Sequence, residues 1–501
     1  MYRMEKYFWW NEEQRRLADE ASDFADTFIA PRIKEIDRTK RFPWEFMTAI
    51  GEKGWFGIFI PEEYGGMGQR YGATGLCIIL EEIARGAAVA VDFYETTIYG
   101  YSPLVRFGTE DQKRNYLPGL ASGERFCAIA ITEPFCGSDA AAVQTTAVLD
   151  GDAYVINGKK RYITVGGVAN LYCVYCKTSE RPEDRARHRH MSALLVEKGT
   201  PGFSVEAIHD VMGRFGSRHA CLNLDNVRVP KDNLILSEGD GWKIMTDALN
   251  IERLGVAAGA IGVARSSLDE TMNYTHRRVQ FGKTLSEHEA VQFMGSEMIS
   301  SIILSHVLTY YTAHLLDMGR DVPLAASVAK LFSTDTLMKT TLDAVQCHGG
   351  DGYTTQYPVE RHMRDSKLIQ IGAGTNEILR MLVWRQWEKE ARTLDDSLRQ
   401  PVAECPLSST EARKAIMEAL AEDYRRHPGL YMRRQDLHGK VRVRDMDTTL
   451  KALEDEKLIV LHREQAKIAL VKATYKGLSE AKPKEFYLSI PDFVDREKET
   501  F

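Results

Sequence analysis

The stretch IQIGAGTNEI, residues 369–378, closes the part of the chain whose pattern decides the fold. It follows a second glycine-rich stretch, QCHGGDGY, residues 346–353, and both belong to a long region that begins near residue 240. Within that region, segments such as ALNIERLGVAAGAIGVARSSLDETMNYTHRR place apolar residues at three- and four-residue spacing. This spacing is typical of helices with a buried face, so residues 239–392 are predicted to form a helical bundle.

Upstream of the bundle the pattern changes twice. Between residues 126 and 238, short runs such as AYVING, RYITV and SALLV are separated by Gly, Asp, Asn and Pro. Such runs are typical of β-strands joined by turns. Residues 1–125 return to helical spacing, as in EEQRRLADEASDFADTFI. The sequence therefore predicts a multidomain α+β chain in which a helical domain, a β domain and a helical bundle follow one another.

The composition narrows the class of protein. The chain has 501 residues, a formal net charge of −6 and 44% hydrophobic residues, so it has no basic surplus for binding nucleic acid. The start, MYRMEKYFWWNEEQRR, lacks a signal-peptide pattern, and apolar stretches such as the one around Ile302 to Leu304 are too short to span a bilayer. Cys173 and Cys176 form a CxxC inside the apolar run LYCVYCKT without a histidine cluster, so no metal site is predicted. A reduced, cytoplasmic protein is expected.

Four sequence blocks occur in order along the chain: AIAITEPFCGSDAAAVQTTA (128–147), INGKKRYITVGG (156–167), RRVQFGKTLSEHEAVQ (277–292), and QCHGGDGY with IGAGTNEI. By these blocks the chain resembles the acyl-CoA dehydrogenases over about residues 5–392. The resemblance implies an N-terminal helical domain, a barrel-like middle β domain and a C-terminal four-helix bundle. It also implies FAD as cofactor, a homotetramer, dehydrogenation of an acyl-CoA at C2 and C3, and an electron-transfer flavoprotein as electron acceptor.

The residues are compatible with a flavin held by dispersed donors, because the chain has neither a GxGxxG after a strand nor a P-loop. By resemblance, Ile131, Thr132 and Thr164 lie along the edge of the isoalloxazine, with Thr164 near N5. A hydroxyl dipole there faces the position where the reduced flavin gathers negative charge. Tyr162 replaces a Trp or Phe common in the family, and its aromatic ring would pack on the face of the flavin.

A second group of cofactor residues is implied for the neighbouring subunit. Arg278 matches the arginine that reaches the FAD pyrophosphate, and a guanidinium suits phosphate because it offers a fixed fork of donors. Phe281 lies in the same block. Gln346, Gly349 and Gly350 match the segment against the cofactor across the interface, where glycine lets the backbone approach closely.

Further binding residues are carried over from the same blocks. Thr375 and Glu377 match residues that touch FAD near its phosphates. Ser138 matches a contact to the pantetheine or phosphate part of CoA, and Arg253 matches a CoA-contacting arginine. The alternatives are a turn residue for Ser138 and a solvated helix charge for Arg253. Glu289 stands where the family often has glutamine, and a carboxylate there could weaken cofactor binding.

The catalytic base needs a separate argument, because Ala373 stands where many family members have the base glutamate. The reaction requires a carboxylate with a raised pKa in a dry pocket. Glu252 lies among apolar residues in ALNIERLGVAAG, which would raise its pKa if it is buried. A minority of the family, including isovaleryl-CoA dehydrogenases, has the base here, written ER, together with GAGT at the other position. Both features are present, so Glu252 is predicted to be the base, and the backbone N–H of Ala373 to stabilise the enolate.

Asp92 is a further acid of interest, in the helical segment AVAVDFYETTIYGYSP (88–103) that corresponds to a wall of the acyl pocket. Some family members that act on alicyclic acyl-CoAs have an aspartate in this region. Asp92 is therefore a candidate second acid/base or a contact for a polar substrate. The alternatives are a side chain that faces solvent or caps a turn.

Residues beyond the bundle form an addition to the family pattern. Residues 393–408 are predicted to be a linker, and residues 409–501 a winged-helix-like module with a charged, irregular tail. The order helix, helix, β-hairpin supports this interpretation. Residues 401–501 contain 19 Lys and Arg against 18 Asp and Glu, a net of about +1, which favours a role in protein interaction or oligomer stabilisation. The basic run YMRRQDLHGKVRVR keeps nucleic-acid binding as an alternative.

The function predicted from the sequence is FAD-dependent dehydrogenation of a short, branched or cyclic acyl-CoA. One alternative is a family member with other flavin chemistry, such as an oxidase or a desulfinase. Another is a non-catalytic acyl-CoA sensor with a DNA-binding module, which would not need an intact base. The acyl group, the electron acceptor and the role of the added module are not determined by the sequence.

Overall fold

The computed structural model describes residues 10–398, 409–426, 430–441, 443, 445–464 and 467–481. The chain divides into two compact units, the first ending at Trp387 and the second beginning at Glu388. The sequence expectations for residues 1–9, for residues 399–408 of the linker and for the tail after residue 481 lie outside the described residues.

The N-terminal part is helical, as predicted. Its helices are α1 (Glu12–Phe24), α2 (Ala30–Thr39), α3 (Trp44–Glu52), α4 (Gly68–Gly86), α5 (Ala88–Phe107) and α6 (Glu110–Ala121). A π-helical turn, Ala25–Ile29, joins α1 to α2. Helix α5 is buried from Ala88 to Leu104, so its polar side chains have to find partners inside the protein.

The middle part is a β domain, also as predicted. Its strands are β1 (Cys127–Ala130), β2 (Thr146–Asp150), β3 (Ala153–Thr164), β4 (Leu171–Lys177), β5 (Met191–Glu197), β6 (Phe203–Ile208) and β7 (His219–Pro230), and a short helix α7 (Pro182–Ala186) lies between β4 and β5. The sheet order is β1-β4-β2-β3-β7-β6, with β5 paired to β4. Cys173 and Cys176 are buried free cysteines in β4, which confirms the apolar-strand interpretation of the CxxC.

The third part of the first unit is the predicted helical bundle. Its elements are α8 (Gly241–Thr275), a small hairpin β8 (Val279–Gln280) and β9 (Lys283–Thr284), α9 (Glu289–Asp317), α10 (Pro323–His348), α11 (Val359–Ile371) and the start of α12 (Asn376–Leu398), which belongs to the first unit as far as Trp387. Helix α8 is its buried centre. A Cβ at Gly262 would lie 2.0 Å from the Glu81 carbonyl oxygen, so glycine is required for α8 to pack this closely on α4.

Two features of the bundle differ from the sequence expectations. Helix α12 continues to Leu398, so residues 393–398 of the predicted linker are helical; TLDDSL contains no helix breaker, and Pro401 is the first proline that follows. Helix α9 is, within the described ranges, the one helix long and apolar enough to cross a membrane by length and composition. Little of its apolar window is buried in the single chain.

The second unit has its own core and a three-stranded antiparallel sheet in the order β10-β12-β11. Its elements are α13 (Ser409–Arg426), β10 (Met432–Arg433), α14 (Arg434–Lys440), α15 (Met446–Asp455), β11 (Ile459–Glu464), β12 (Lys467–Ala473) and α16 (Tyr475–Ala481). The predicted first helix and hairpin are present. Part of the basic run YMRRQDLHGKVRVR forms a separate helix, α14. It is separated from α15 because Val441 has an extended backbone and Asp445 begins α15 by accepting a hydrogen bond from the Thr448 amide.

Candidate active site

The structure brings together the two segments that carry the paired patterns, ER at 252–253 and GAGT at 372–375. Arg253, in α8, donates from Nε to the carbonyl oxygen of Ala373 at 3.3 Å, although 120 positions separate the two residues. Lys330, in α10, donates from Nζ to the Gly374 carbonyl at 2.9 Å and to Asn376 Oδ1 at 2.8 Å. Ala373 and Gly374 both have left-handed backbone conformations, with φ of 56° and 88°. Two buried cationic side chains therefore fix the turn that precedes α12 beside Glu252.

Glu252 has the electrostatic properties that a general base requires. Its side chain is partly exposed in the single chain, and desolvation of its carboxyl raises its pKa to about 7, while the nearby charges of Arg253 and Lys330 act to lower it. Burial also lowers the pKa of Lys330 to about 7, and the charge of Glu252 opposes that shift. A carboxyl with this pKa is substantially ionised at neutral pH and still basic enough to accept a proton.

Arg253 is not the solvated helix charge that was the alternative interpretation of the sequence. It is buried, and besides the Ala373 carbonyl it contacts Asn250 Oδ1 at 3.2 Å. Burial lowers its pKa, and the neighbouring Glu252 acts in the opposite direction. The contact to Ala373 gives Arg253 a positioning role that the sequence did not indicate.

Asp92 lies buried in α5, so it neither faces solvent nor caps a turn. One of its oxygens, Oδ1, accepts a hydrogen bond from Nη1 of Arg214, which follows β6. Arg214 also donates to Asp365 of α11, through its backbone amide to the carboxylate and through Nε to the carbonyl at 3.0 Å. The partner of Asp92 is thus a buried cation held between the helical and β parts of the chain.

Glu95 is a buried acid that the sequence interpretation missed. It lies one helical turn after Asp92, and burial raises its pKa well above the usual range. The negative charge of Glu252 is the next largest cause, and Arg214 acts in the opposite direction. Tyr99, one further turn along α5, donates its hydroxyl to the backbone carbonyl of Glu252 at 3.0 Å. The signal was available in the sequence as two acids and a tyrosine at positions 92, 95 and 99, spaced to share one face of a helix.

The predicted flavin residues of the β domain lie on two neighbouring segments. Thr164, at the end of β3, has its hydroxyl 3.1 Å from Nδ1 of His219 on β7, and burial lowers the pKa of that histidine. The Thr132 carbonyl accepts from the Arg161 amide at 2.8 Å, which fixes the 131–132 segment against β3. Thr132 and Thr164 both remain partly exposed.

A buried ion pair supports this segment from inside the sheet. Lys160 donates to the Ile131 carbonyl at 3.0 Å and to Glu133 Oε1 at 2.8 Å. Glu133 in turn accepts from the backbone amides of Gln144 and Thr145. Both partners of the ion pair are buried, so the backbone at Ile131 has little freedom to move.

Tyr162 is the residue whose surroundings fit a planar ligand. Its side chain is 53% exposed although it sits inside the sheet domain, and one ring contact is to His209 at 4.6 Å. Its φ of 59° is rare for a residue other than glycine and turns the side chain out of the normal alternation of β3. An open aromatic ring beside two partly exposed threonine hydroxyls matches the flat, hydrogen-bonding ring system of a flavin.

The remaining predicted cofactor and CoA residues lie at the surface of the single chain. Phe281 is 96% exposed, with a φ of 51°. Arg278 lines a surface cavity of about 390 Å³ together with Tyr274, Arg277 and Asp351. The other exposed members of the predicted set are Ser138, Gln346, Gly349, Gly350 and Glu377. The structure thus does not gather these side chains around Glu252, whereas Thr375 is partly buried and accepts a hydrogen bond from the Ile378 amide at 3.3 Å, in the first turn of α12.

The fold and site define a class of protein: a flavoprotein oxidoreductase with a β domain between two helical domains. Family models for the acyl-CoA dehydrogenase N-terminal, middle and C-terminal domains match residues 11–124, 128–227 and 239–387. The chain therefore belongs to the acyl-CoA dehydrogenase family, whose cofactor is FAD, and it is an acyl-CoA dehydrogenase.

Individual relatives agree with this assignment. An acyl-CoA dehydrogenase of Bacillus subtilis is 40% identical over 74% of this chain and 97% of its own length. The cyclohex-1-ene-1-carbonyl-CoA dehydrogenase of Geobacter metallireducens is 39% identical over 75% of this chain. The solved butyryl-CoA dehydrogenase of Megasphaera elsdenii is 34% identical, with a TM-score of 0.73, and covers 76% of this chain and 99% of that chain.

Proposed function

We propose that this enzyme converts a short, branched or cyclic acyl-CoA thioester into the 2-enoyl-CoA, with Glu252 as the base that removes the C2 proton. The observation that supports the proposal is the hydrogen bond from Arg253 to the Ala373 carbonyl, which links the ER segment to the GAGT segment. Glu252, next to Arg253 in the ER segment, has a pKa raised to about 7. A carboxyl held in that range can take a weakly acidic proton at neutral pH.

The turn at Ala373 has a second role in this proposal. Its backbone N–H would donate a hydrogen bond to the thioester oxygen, on which negative charge develops as the C2 proton leaves. Arg253 and Lys330 hold the turn by its carbonyl groups, so the N–H does not have to reorganise during the reaction. We also retain Arg253 and Ser138 as contacts to CoA.

The residues that would hold the cofactor come from two parts of the enzyme. When bound, FAD supplies the acceptor for the hydride that leaves C3 of the substrate. Ile131, Thr132, Tyr162 and Thr164 would contact its ring system, in agreement with the open Tyr162 ring and the partly exposed threonines. The remaining proposed contacts are Arg278, Phe281, Gln346, Gly349, Gly350, Thr375 and Glu377.

A homo-oligomer, with the tetramer typical of the family, follows from where these residues lie. Arg278, Phe281 and Gln346 are exposed in one chain, and a Cβ at Gly349 or Gly350 would meet open space. Helix α9 also exposes Phe293, Leu304 and Tyr311. Packing of subunits through these surfaces would bury the apolar side chains and bring Arg278 to the cofactor of a neighbour. We propose an electron-transfer flavoprotein as the electron acceptor and a cytoplasmic location.

A second candidate function is dehydrogenation of an alicyclic acyl-CoA with Asp92 as an additional acid/base. The buried position of Asp92 favours contact with substrate, and one relative of this chain is a cyclohex-1-ene-1-carbonyl-CoA dehydrogenase. The Arg214 guanidinium, however, already neutralises the Asp92 carboxylate. We therefore favour a binding role for Asp92 over a role in proton transfer.

For the added unit we propose a winged-helix-like module that acts in protein interaction or oligomer stabilisation. Several of its arginines are engaged within the unit: Arg434 with Asp447 at 2.7 Å, Arg413 with Glu456 and Arg463 with Glu454. Such pairing leaves less positive charge for phosphate and weakens both the nucleic-acid alternative and the sensor hypothesis. The domain boundaries 1–125, 126–238, 239–392, linker 393–408 and module 409–501 remain proposals, with α12 reaching Leu398.

The proposal can be tested by following flavin absorbance anaerobically while straight, branched, alicyclic and aryl acyl-CoAs are added. We expect one substrate class to bleach the wild type and Glu252→Gln to slow bleaching by roughly 10²–10⁴-fold, the usual contribution of a general base. Glu63→Gln, at an exposed position, is the control for the same chemical change. Wild-type bleaching without effect of Glu252→Gln would reject Glu252 as base, and no bleaching by any member of the panel would reject the dehydrogenation.

A further inference from the structure

A stripe of polar side chains runs along one face of α5, and we define the α5 stripe as Asp92, Glu95 and Tyr99. Residues at positions i, i+3 and i+7 share a helix face, so these side chains are neighbours. The rest of the helix is largely apolar and buried. The function proposed above gives no task to Glu95 or Tyr99, and it gives Asp92 a binding role without naming the group that Asp92 binds.

The α5 stripe extends between the two groups of residues that would enclose the acyl chain. At one end, the charge of Asp92 acts on His219, and His219 contacts the Thr164 hydroxyl at 3.1 Å. At the other end, the Tyr99 hydroxyl bonds to the Glu252 carbonyl at 3.0 Å. Under the proposed function the acyl group lies between the flavin near Thr164 and the base Glu252. The stripe therefore lies where the acyl chain passes.

One atom of the stripe has no hydrogen-bond partner. Asp92 is only 6% exposed and its Oδ1 is paired with Arg214, whereas its Oδ2 is buried and has no partner among the described residues. Buried acceptors without a donor are rare, because burial removes the hydrogen bond that water would make. A carboxylate oxygen in this state can accept a hydrogen bond that a ligand donates.

The next residue of the stripe offers the opposite hydrogen-bonding character. Glu95 is 8% exposed and has the carboxyl groups of Glu252 and Asp92 as neighbours. Burial and these negative charges raise its pKa, which favours the protonated form of the carboxyl, the form that can donate a hydrogen bond. Arg214 and the Tyr99 hydroxyl oppose the shift without reversing it. The stripe thus presents an acceptor and a donor one helical turn apart.

We propose that the α5 stripe is a subsite for a hydroxyl group carried by the acyl chain of the substrate. The hydroxyl donates to Asp92 Oδ2 and accepts from the Glu95 carboxyl. A hydroxyl is the simplest group with both capacities; a ketone could pair only with Glu95, and an unsubstituted hydrocarbon would leave Asp92 Oδ2 unpaired. This inference rests on the proposed function and specifies its substrate class as hydroxylated acyl-CoAs.

The test compares matched thioesters that differ by one hydroxyl: 4-hydroxycyclohexane-1-carbonyl-CoA with cyclohexane-1-carbonyl-CoA, and 5-hydroxypentanoyl-CoA with pentanoyl-CoA. We expect the wild type to reduce its flavin with at least one hydroxylated member at a kcat/KM roughly tenfold or more above that of its partner. Glu95→Leu should abolish that preference, and Glu95→Gln should restore it because an amide still donates.

The control variant is Thr97→Val, which removes a buried hydroxyl from α5 on the face away from the stripe and should keep the preference. The same pairs are also titrated into Glu252→Gln, where the ratio of Kd values reports the subsite without the chemistry. Equal kcat/KM and equal Kd within both pairs, or a preference that survives Glu95→Leu, overturns the subsite and leaves the dehydrogenation intact. A Kd preference without any flavin reduction supports the subsite and rejects the proposed function.

Discussion

Two glutamates on neighbouring helices, Glu95 buried and Glu252 partly exposed, have different electrostatic surroundings. Glu252 on α8 is beside Arg253 and Lys330, and its pKa rises to about 7. Glu95 on α5 has Glu252 as its most strongly acting charged neighbour, and its pKa rises well above the usual range. Burial acts in the same direction on both, and the neighbouring charges differ: the cations beside Glu252 favour its ionised form, whereas the acids beside Glu95 favour its protonated form. This contrast distinguishes the proposed base, Glu252, from the proposed hydrogen-bond donor, Glu95.

Removing the cation of the α5 region should have the largest effect on stability. Arg214→Met would leave Asp92 and Asp365 as buried acids without their shared partner, and breaking such a pair costs about 3–5 kcal/mol. The measurement is the shift in the midpoint of urea denaturation. Adding Asp92→Asn to Arg214→Met should recover part of the loss, and a double variant no more stable than the single one would contradict the pairing.

Replacing the proposed base, Glu252, with a neutral residue tests its raised pKa through the pH dependence of stability. The folded-state pKa of Glu252, about 7, lies above its ordinary value of 4.5, so the wild type loses stability as the pH rises through that interval. Glu252→Gln cannot ionise and should therefore be about 2–3 kcal/mol more stable than the wild type at pH 8. The advantage should vanish near pH 4.5. The measurement is the thermal denaturation of both proteins at pH 8 and at pH 4.5. An equal advantage at both would mean that Glu252 is not the titrating group.

Changing the cation beside the base should shift the pH profile of activity. Wild-type kcat/KM is expected to fall tenfold per pH unit below about pH 7, as Glu252 takes up a proton. Because the charge of Lys330 lowers the pKa of Glu252, Lys330→Gln should move this limb to higher pH. Lys339→Gln changes an exposed lysine of the same helix, paired with Glu297 and Asp343, and should leave the profile in place. A limb that moves equally in both variants would refute the assignment.

The smallest expected effect concerns Tyr99, which lies on the helix of Glu95 and bonds to the backbone carbonyl of Glu252. Tyr99→Phe removes the hydroxyl that bonds to the Glu252 carbonyl and should cost about 1 kcal/mol of stability, together with a change in kcat/KM. Tyr101→Phe is a matched control. Tyr101 lies on the same helix as Tyr99, and its hydroxyl donates a hydrogen bond to the Phe56 carbonyl at 2.8 Å. The control should lose similar stability with unchanged kcat/KM. A similar change of kcat/KM in both variants would mean that Tyr99 acts only through packing.

The sequence predicted part of the site for identifiable reasons. The paired patterns ER and GAGT placed Glu252 and Ala373 in one hypothesis, and the structure brings these segments into contact. Arg253 was expected as a contact to CoA, and its bond to the Ala373 carbonyl was not foreseen. Glu95 was missed, although its spacing from Asp92 and Tyr99 marks a polar face on a buried helix. Exposure of Arg278 and Phe281 in the single chain agrees with their proposed role toward a neighbour.

The sequence by itself determined the order of helical, β and helical domains, because local periodicity distinguishes a helix from a strand without long-range information. It also led to the prediction of Glu252 as the base, because the two alternative positions of the base lie in recognisable blocks. Only the tertiary structure decided the state of the acids. Asp92 meets Arg214 from 122 positions away, and Tyr99 meets Glu252 from 153 positions away. Burial and charged neighbours set a pKa, and both are properties of the packed chain.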